Sequence, residues 1–442
     1  MTVLFLELNE INFEYVLAYG KTGKLPALNR LIAAHGVSET VSEQKYEELE
    51  PWIQWVTAHT GMTLAQHGVF RLGDIVDEEI DQIWEVLERQ GLTVGAISPM
   101  NAKNRCHDAA FFVPDPWTST KATGGSLLQR LHRAIAQAVN DNAQARLSPT
   151  SAMALVHGVL SFARYGNYGR YFSLAAGARK KSWAKALFLD LLLGDVFIRE
   201  VRRTKPAFAS LFLNAGAHIQ HHYLFNSFAY SGDLTNPEWY VPSGLDPVLE
   251  VYELYDHIVA DVVDAFPNAR IMLATGLHQN AYGEVTFYWR PKDHEALLRK
   301  LEVPFMRVEA RMSRDFMIYC SDLKQAEAAE RRLRSTTAID GQPIFEIDNR
   351  GTDLFVMLVW PHDVPNDFEY RIGNEYRSGL REELAFVAIK NGEHDGVGYL
   401  VDTGQHASTE PRLPLTGIPA RIAHACGARW QPEQSDISNV GA

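Results

Sequence analysis

Short runs of apolar residues alternate along the chain with longer segments whose apolar residues recur every three to four positions. The short runs predict buried strands, and they lie at residues 3–8, 91–98, 207–213 and 269–274. The longer segments predict amphipathic helices, and they lie at residues 25–35, 52–60, 78–90 and 248–266. This alternation predicts an α/β fold, in which a doubly wound, mostly parallel sheet is flanked by helices.

Two segments interrupt the alternation. Residues 127–204 have helical periodicity with little strand signal, which predicts a helical insertion. Residues 296–380 predict a small α+β cap, because strand patterns at 313–320, 344–347 and 353–360 surround a helical pattern at 323–334. The core is then expected in three parts, residues 1–126, 205–295 and 381–442, the last with strands at 383–390 and 398–401 and a helix at 418–426.

Charge and cysteine content exclude some classes of protein. The chain has 442 residues and a net charge of −12, which argues against a protein that reads the nucleic-acid backbone. A small anionic substrate is still compatible with this net charge, because a metal ion or a few arginines can bind it locally. The three cysteines, Cys106, Cys320 and Cys426, form no CxxC pair, so neither a disulfide framework nor a thiolate zinc site is expected.

The N-terminal segment predicts a first strand and no signal peptide, since it enters an apolar run without basic residues or a cleavage site. The most apolar later stretch, residues 184–198, contains Lys185, Asp190 and Asp195 and is no bilayer span. We therefore expect a cytoplasmic protein without stable membrane insertion, with room for peripheral contact with a membrane. The oligomeric state is left open.

Polar side chains follow the predicted strands at the edge where α/β sheets bind ligands. Glu7, Asn9 and Glu10 follow the first strand, and Asn214 follows the third. The remaining members of this set are Thr275 and His278 after the fourth strand and His394 beside a C-terminal strand. Their recurrence at strand ends from distant parts of the chain indicates one built site.

Three histidines follow Asn214 within a few residues. If the segment is helical, His218 shares a face with His221 and His222, because the spacings are three and four. Neutral imidazoles in this arrangement suit zinc or another divalent ion. The alternative is that these rings pack beside Tyr223 and Phe225 in the core or at an interface.

The segment around residue 50 carries a second group of candidates. Glu50 precedes Pro51-Trp52 and is a candidate general base, although a run of glutamates is also typical of a solvated face. Trp52 and Trp55 suit the wall of a binding cleft. Thr60-Gly61 is typical of the end of a helix.

Five segments in this order resemble the alkaline-phosphatase superfamily, particularly its type I phosphodiesterase/nucleotide pyrophosphatase branch. They are VLFLELNEINFEYV with GKLPALNRLIAAHG, EPWIQWVTAHTGMTLAQHGVF, FLNAGAHIQHHYLF, ARIMLATGLHQ, and GEHDGVGYLVDTG with LTGIPARIAHACG. They resemble, respectively, the first strand and its helix, the nucleophile helix, a metal-binding Asp/His segment, the "SDHG" motif and the terminal "GxH" segment. The resemblance covers about the first hundred residues, 205–290 and 385–430.

The chain departs from that family at several positions. The first-strand Asp aligns with Asn9, and the nucleophile position falls near Glu50 and Pro51, where no hydroxyl residue stands. The "SDHG" Asp and His align with Thr275, Gly276 and Leu277, with His278 one residue further on. One metal site keeps imidazoles, His218 or His221 with His394, and its Asp becomes Asn214 or Ala217. Thr57 and Thr60 are the nearest hydroxyls to the nucleophile position, and Thr60 is expected to shape the turn.

The resemblance thus implies one divalent ion, with zinc first and manganese or iron as alternatives. The expected ligands are His218, His221, His394, Asn9 and Asn214, with Glu7, Glu10, Glu50 or His222 as further candidates. We assign catalytic roles to Glu50, His222 and His278, and contacts with a small anionic ester substrate to Glu7, Glu10, Trp52 and Trp55. The expected function is metal-dependent hydrolysis or transfer of a phosphate or sulfate ester without a Ser/Thr nucleophile. The alternative is a catalytically inactive relative that binds a ligand or a partner protein.

Overall fold

The computed structural model describes residues 1–140, 149–311, 314–405 and 412–433. Residue 313, where one predicted strand begins, and parts of the predicted helical insertion and C-terminal core lie outside these ranges. Among the described helices, none combines the length and the apolar character needed to cross a bilayer.

The described residues form seventeen strands. They are β1 Val3–Leu8, β2 Ser38–Val41, β3 Val94–Ile97, β4 Phe111–Val113, β5 Phe208–Leu213, β6 Arg270–Ala274, β7 His278–Pro291, β8 Arg307–Ala310, β9 Asp315–Tyr319, β10 Thr336–Ala338, β11 Phe345–Asn349, β12 Asp353–Leu358, β13 Glu369–Ile372, β14 Glu375–Ser378, β15 Leu384–Asp395, β16 Val397–Asp402 and β17 Arg412–Pro414.

The same residues form fifteen α-helices. They are α1 Phe13–Gly20, α2 Pro26–His35, α3 Pro51–Thr60, α4 Leu64–His67, α5 Ile83–Arg89, α6 Ser126–Asn140, α7 Pro149–Phe162, α8 Tyr168–Gly177, α9 Ala184–Thr204, α10 Ala215–Tyr223, α11 Pro247–Ala265, α12 His294–Lys300, α13 Leu323–Arg334, α14 Leu380–Glu383 and α15 Ile418–Ala425. Short 3₁₀ turns lie between several of them.

An eight-stranded sheet organises the larger part of the chain, in the order β17-β2-β16-β6-β1-β5-β3-β4. Strands β6, β1, β5, β3 and β4 pair in parallel, whereas β16 runs antiparallel to β6 and β2. All six residues of β1 are buried, as an apolar run between two layers of helices requires. The predicted α/β class with a mostly parallel sheet is therefore confirmed.

The carboxyl ends of β1, β5 and β6 lie side by side, because β1 pairs with both neighbours. On one face Val3 and Phe5 pack with residues of α3, α5 and α15 in a single core. The alternate residues of β1 point to the opposite face. Helix α9 packs on β3 and β5, and α11 packs on α2 and α9.

The chain divides into two compact units. The first contains residues 1–231, 244–281 and 392–442, and the second contains residues 232–243 and 282–391. Within the second unit, one sheet has the order β11-β12-β9-β8 and another β10-β13-β14. Its core contains Trp289, Phe316 and Leu333, with α13 packed on β11. Strands β7 and β15 pair as a two-stranded sheet.

Most predicted elements occur within a few residues of their expected limits, and helix α5 and strand β15 differ most. The pattern at residues 78–90 predicts a helix of thirteen residues, but α5 covers Ile83–Arg89. A capping box sets this start, because the backbone N–H of Gln82 donates to Oε2 of Glu85 at 2.9 Å. Residues 78–82 are therefore not helical.

Candidate functional site

Glu10 lies directly beyond the end of β1 in a conformation that is unusual for its residue type. Its φ is 62°, in the left-handed region, and its side chain is buried. The backbone N–H of Asn9 donates to Leu213, and that of Glu10 donates to Thr275, each at 3.1 Å. The ends of β5 and β6 thus hold this turn, which turns the Glu10 carboxylate toward the carboxyl edge of the sheet.

Helix α10 begins at the end of the neighbouring strand β5. Oδ2 of the buried Asp190 accepts hydrogen bonds from the Ala215 backbone N–H and the Tyr255 hydroxyl, both at 2.7 Å. Burial raises the pKa of Asp190 to about 7, although these hydrogen bonds act in the opposite direction. Asp190 thereby satisfies an N-terminal N–H of α10 that has no partner within the helix. This helix carries His221 in its last turn.

Glu10, His221 and His394 converge at this edge, and we call them the Glu10 triad. Oε2 of Glu10 lies 3.2 Å from Nε2 of His221 and 3.2 Å from Nε2 of His394. The two imidazole Nε2 atoms are 3.1 Å apart. Within the described residues, these three form the one group of His, Cys, Asp and Glu side chains with metal-site geometry.

Buried amides hold the Glu10 carboxylate. Nδ2 of Asn9 donates to its Oε1 at 3.1 Å, and Nε2 of Gln279 donates to its Oε2. Nε2 of Gln220 donates to the backbone oxygen of Glu10 at 2.8 Å, and Tyr252 donates to Oε1 of Gln220 at 2.9 Å. Asn9 and Gln279 therefore orient the carboxylate, while Gln220 holds the backbone of the same residue.

The triad histidines determine the ionisation of Glu10. Burial alone would raise the pKa of this carboxyl, but His394 and His221 lower it well below its usual range. Glu10 is consequently a carboxylate at neutral pH.

Glu50 lies on the other side of His394. It is the residue before α3, and its Oε2 is 3.8 Å from Nδ1 of His394. Burial raises the pKa of Glu50 to about 6; His394 opposes this rise, and Glu10 adds to it. The His394 ring thus has a carboxylate facing each of its nitrogens.

An open cavity of about 390 Å³ borders His394. Its lining includes Val41, Glu43, Leu49, Val397 and Arg412. The cavity thus has apolar walls and one cation, Arg412, which is paired with Glu39 at 3.0 Å.

The structure separates several predicted ligands from the triad. His218 is exposed and its ring lies 5.0 Å from that of His222, so the two face each other and not Glu10. Oδ1 of Asn214 accepts a hydrogen bond from Asn9 at 2.8 Å. Asn9 supports Glu10 through its amide nitrogen, whereas its Oδ1 accepts a hydrogen bond from the Trp55 indole N–H at 2.7 Å.

His278, predicted as catalytic, also lies outside the triad. Its Nδ1 is 2.5 Å from the backbone oxygen of Val397, and its Nε2 is 3.2 Å from Oδ1 of Asn280. These contacts tie β7 to β16 and engage both ring nitrogens.

Two predicted substrate contacts are not compatible with the structure. Glu7 is fully buried, and its Oε2 lies 3.1 Å from Nε2 of the buried His59. Trp55 is also fully buried. Both residues point into the core, so neither can touch a substrate. Trp52 is half-buried and donates from its indole N–H to the backbone oxygen of Phe70 at 3.1 Å.

Trp55 occupies the place where the family resemblance would put further ligands. Gly276 has a φ of 73°, and a Cβ at that residue would lie 3.1 to 3.4 Å from atoms of the Trp55 indole. An Asp or His side chain has no room there while Trp55 is present. The indole thus fills the space beside Gly276.

The hydroxyls nearest the nucleophile position are engaged elsewhere. Thr60 donates to the Val56 carbonyl at 2.7 Å at the end of α3, as the turn pattern predicts. Oγ1 of Thr57 lies 3.3 Å from Nε2 of His67. Both threonines are buried.

Sequence reasoning missed Gln220 and Gln279, which bind Glu10 directly. Gln279 has a faint sequence signal, since it stands a few residues after β6 at the ligand-binding edge. A glutamine has no charge or spacing pattern that marks such a role.

The chain is thus a mixed α/β protein with a candidate three-ligand metal site at the carboxyl edge of its main sheet. No protein-family model and no curated protein matches it. Among solved structures it is similar to phosphonoacetate hydrolase from Sinorhizobium meliloti 1021 in complex with phosphonoformate, with 12% identity, 96% of each chain covered and a TM-score of 0.46.

It is also similar to murine ectonucleotide pyrophosphatase/phosphodiesterase 5, with 11% identity, 100% of this chain and 99% of that chain covered, and a TM-score of 0.44. The human protein of the same name has 10% identity, 99% and 97% coverage and a TM-score of 0.43. These neighbours are members of the alkaline-phosphatase superfamily, whose motif order the sequence resembles. At these identities and TM-scores, the similarity by itself assigns no activity to this chain.

Proposed function

We propose that this protein is a metal-dependent enzyme of the alkaline-phosphatase superfamily. It hydrolyses or transfers a phosphate or sulfate ester at the Glu10 triad, without a Ser or Thr nucleophile. The observation that carries this proposal is the convergence of Nε2 of His221, Nε2 of His394 and Oε2 of Glu10 within 3.2 Å of one another.

The donor set fits a divalent ion. Ligand atoms about 2.0–2.1 Å from a tetrahedral zinc ion are about 3.3 Å apart, close to the separations in the triad. Two imidazoles and one carboxylate are a common ligand set of catalytic zinc, and they also bind iron(II). Zinc is our first assignment, with iron and manganese as alternatives. A bound ion would supply Lewis-acid stabilisation of the developing negative charge and lower the pKa of a water molecule.

The chain itself supplies the remaining groups. Gln279 and Asn9 orient the Glu10 carboxylate, and such supporting hydrogen bonds typically change metal affinity by about 10- to 100-fold. With its pKa raised to about 6, Glu50 is ionised at neutral pH and is basic enough to accept a proton at Oε2 from an attacking water. Water addition and cleavage of one ester bond complete the reaction. The engaged hydroxyls of Thr57 and Thr60 favour this direct attack.

The first experiment measures metal content. We expect the purified protein to contain one divalent ion by elemental analysis, and His221→Ala and His394→Ala to lose it. His218→Ala is the matched control, because this exposed histidine of the same helix lies outside the triad. Loss of metal in His218→Ala but not in His221→Ala would contradict the assignment.

The second experiment measures turnover of chromogenic phosphomonoester, phosphodiester and sulfate-ester substrates with zinc, manganese and iron(II). Glu50→Gln is expected to keep the metal and to lose about 10²- to 10⁴-fold in turnover, the usual contribution of a general base. Bound metal without turnover of any ester would reject the enzyme and favour a ligand-binding protein.

A further inference from the structure

Helix α7 exposes apolar side chains where a surface helix normally carries polar ones. Met153, Val156 and Leu160 lie on one face at spacings of three and four, and each is at least 60% exposed. The opposite face is packed, since Gly158 and Phe162 are buried. Helix α7 contains no Lys, Arg, Asp or Glu. An exposed group of large apolar side chains on a surface helix requires an explanation.

Exposed aromatic side chains follow α7, one in the 3₁₀ turn after it and one in α8. Tyr165 is 93% exposed and Phe172 is 78% exposed. Helices α7 and α8 both pack on α9 and belong to the first unit.

This part of the chain is strongly basic although the protein as a whole is acidic. Residues 149–189 contain six lysines and arginines and no Asp or Glu, within a chain of net charge −12. Four of the six, Arg170, Arg179, Lys180 and Lys185, are exposed and form no ion pair among the described residues. The other two, Arg164 and Lys181, pair with Asp261 and Glu250 of α11. The four unpaired cations and the exposed apolar residues are together what we call the basic–apolar surface; the apolar residues are Met153, Val156, Leu160, Tyr165 and Phe172.

We propose that the basic–apolar surface docks the protein on an anionic phospholipid bilayer. Protruding Tyr, Phe, Leu and Met side chains beside Lys and Arg are typical of segments that lie in the bilayer interface. None of these 41 residues is an Asp or Glu, so the segment itself adds no repulsion of anionic headgroups, and the nearby Asp261 and Glu250 are paired with Arg164 and Lys181. An anionic bilayer presents negative charge along the whole contact, which complements the four unpaired cations of this surface. Contact of this kind is peripheral and needs no membrane-spanning helix.

The test is co-sedimentation of the full chain with vesicles of phosphatidylcholine alone or mixed with phosphatidylglycerol. We expect sedimentation with the mixed vesicles only, weakening as salt increases, because surface charges are screened. Arg179→Gln combined with Lys180→Gln is expected to reduce partitioning by about fivefold for each cation. Tyr165→Ser combined with Phe172→Ser is expected to reduce it by about tenfold or more.

Matched controls come from the second unit. Tyr376→Ser removes an aromatic residue of similar exposure, 76%, and Lys324→Gln removes an exposed cation without an ion pair among the described residues. Both are expected to bind vesicles like the unchanged protein, and circular dichroism establishes that every variant is folded. Equal binding to both kinds of vesicle, or equal loss in surface and control variants, would overturn the proposal. The proposal would also be overturned if the protein bound no vesicles and instead self-associated in solution, with the surface substitutions abolishing that association.

Discussion

At the scale of single residues, the candidate site depends on side chains that the core holds in unusual positions. Glu10 adopts a left-handed backbone, which costs about 1–2 kcal/mol for a residue with a Cβ. Such strain persists where the surroundings determine it and often marks functional sites. Here the surroundings are the neighbouring strand ends and the buried amides that bind the carboxylate.

Trp55 is the residue through which the core supports this arrangement. Its indole N–H donates to Oδ1 of Asn9, whose amide nitrogen donates to Glu10. We expect Trp55→Phe to lower the free energy of unfolding by about 1–3 kcal/mol, because it leaves a buried acceptor without a donor. We also expect metal affinity to fall by about tenfold, since Asn9 becomes free to turn. Urea unfolding and metal titration measure the two effects.

Trp289→Phe is the matched control for stability. Trp289 is also buried and donates its indole N–H to the His362 carbonyl at 2.9 Å, but it lies in the second unit. It should lose similar stability and keep its metal affinity. Equal metal affinity in both variants would remove Trp55 from the support of the site.

At the scale of elements, the start of α10 depends on a buried carboxyl. Asp190 of α9 accepts hydrogen bonds from Ala215 and Tyr255, and burial raises its pKa from an ordinary value of 3.8 to about 7. Between these two values the folded protein holds a proton that the unfolded chain has released. Stability therefore falls as pH rises through this window, by up to about 1.4 kcal/mol per pH unit.

Asp190→Asn tests this dependence while keeping an oxygen that can accept both hydrogen bonds. From pH 4 to pH 7 the stability of the unchanged protein should decrease relative to that of the variant. Urea unfolding at a series of pH values measures the difference. Parallel curves for the two proteins would mean that Asp190 does not titrate in this window.

At the scale of the whole molecule, the triad joins parts of the chain that are far apart in sequence. Glu10 follows β1, His221 lies in α10, and His394 lies in β15, yet all three belong to the first unit. An ion bound by all three has no comparable site in the unfolded chain. Metal binding should therefore stabilise the fold.

We expect a chelator to lower the Tm of the protein and added metal to restore it. The expected gain is about 2.7 kcal/mol when the free ion is at about one hundred times its Kd. In Glu10→Gln, which lacks the one carboxylate of the triad, Tm should respond little to either treatment. An equal response of Tm in this variant and in the unchanged protein would show that the ion binds elsewhere.

Much of the fold and part of the site could be predicted from sequence. The apolar run at residues 3–8 coincides with β1, and the helical pattern at 323–334 coincides with α13. His221 and His394 were predicted as ligands, and both belong to the triad. Glu50, for which the sequence predicts a catalytic role, faces Nδ1 of His394.

The sequence by itself determined the order of strands and helices and the residues that stand at strand ends, because these follow from local periodicity and turn chemistry. Only the tertiary structure decided which polar side chains meet. The packing of α10 turns His221 toward Glu10 and leaves His218 exposed, although the spacing alone treats them alike. Trp55 points into the core because Gly276 leaves room for its indole. Such choices depend on contacts between residues that are distant in sequence, which no local pattern contains.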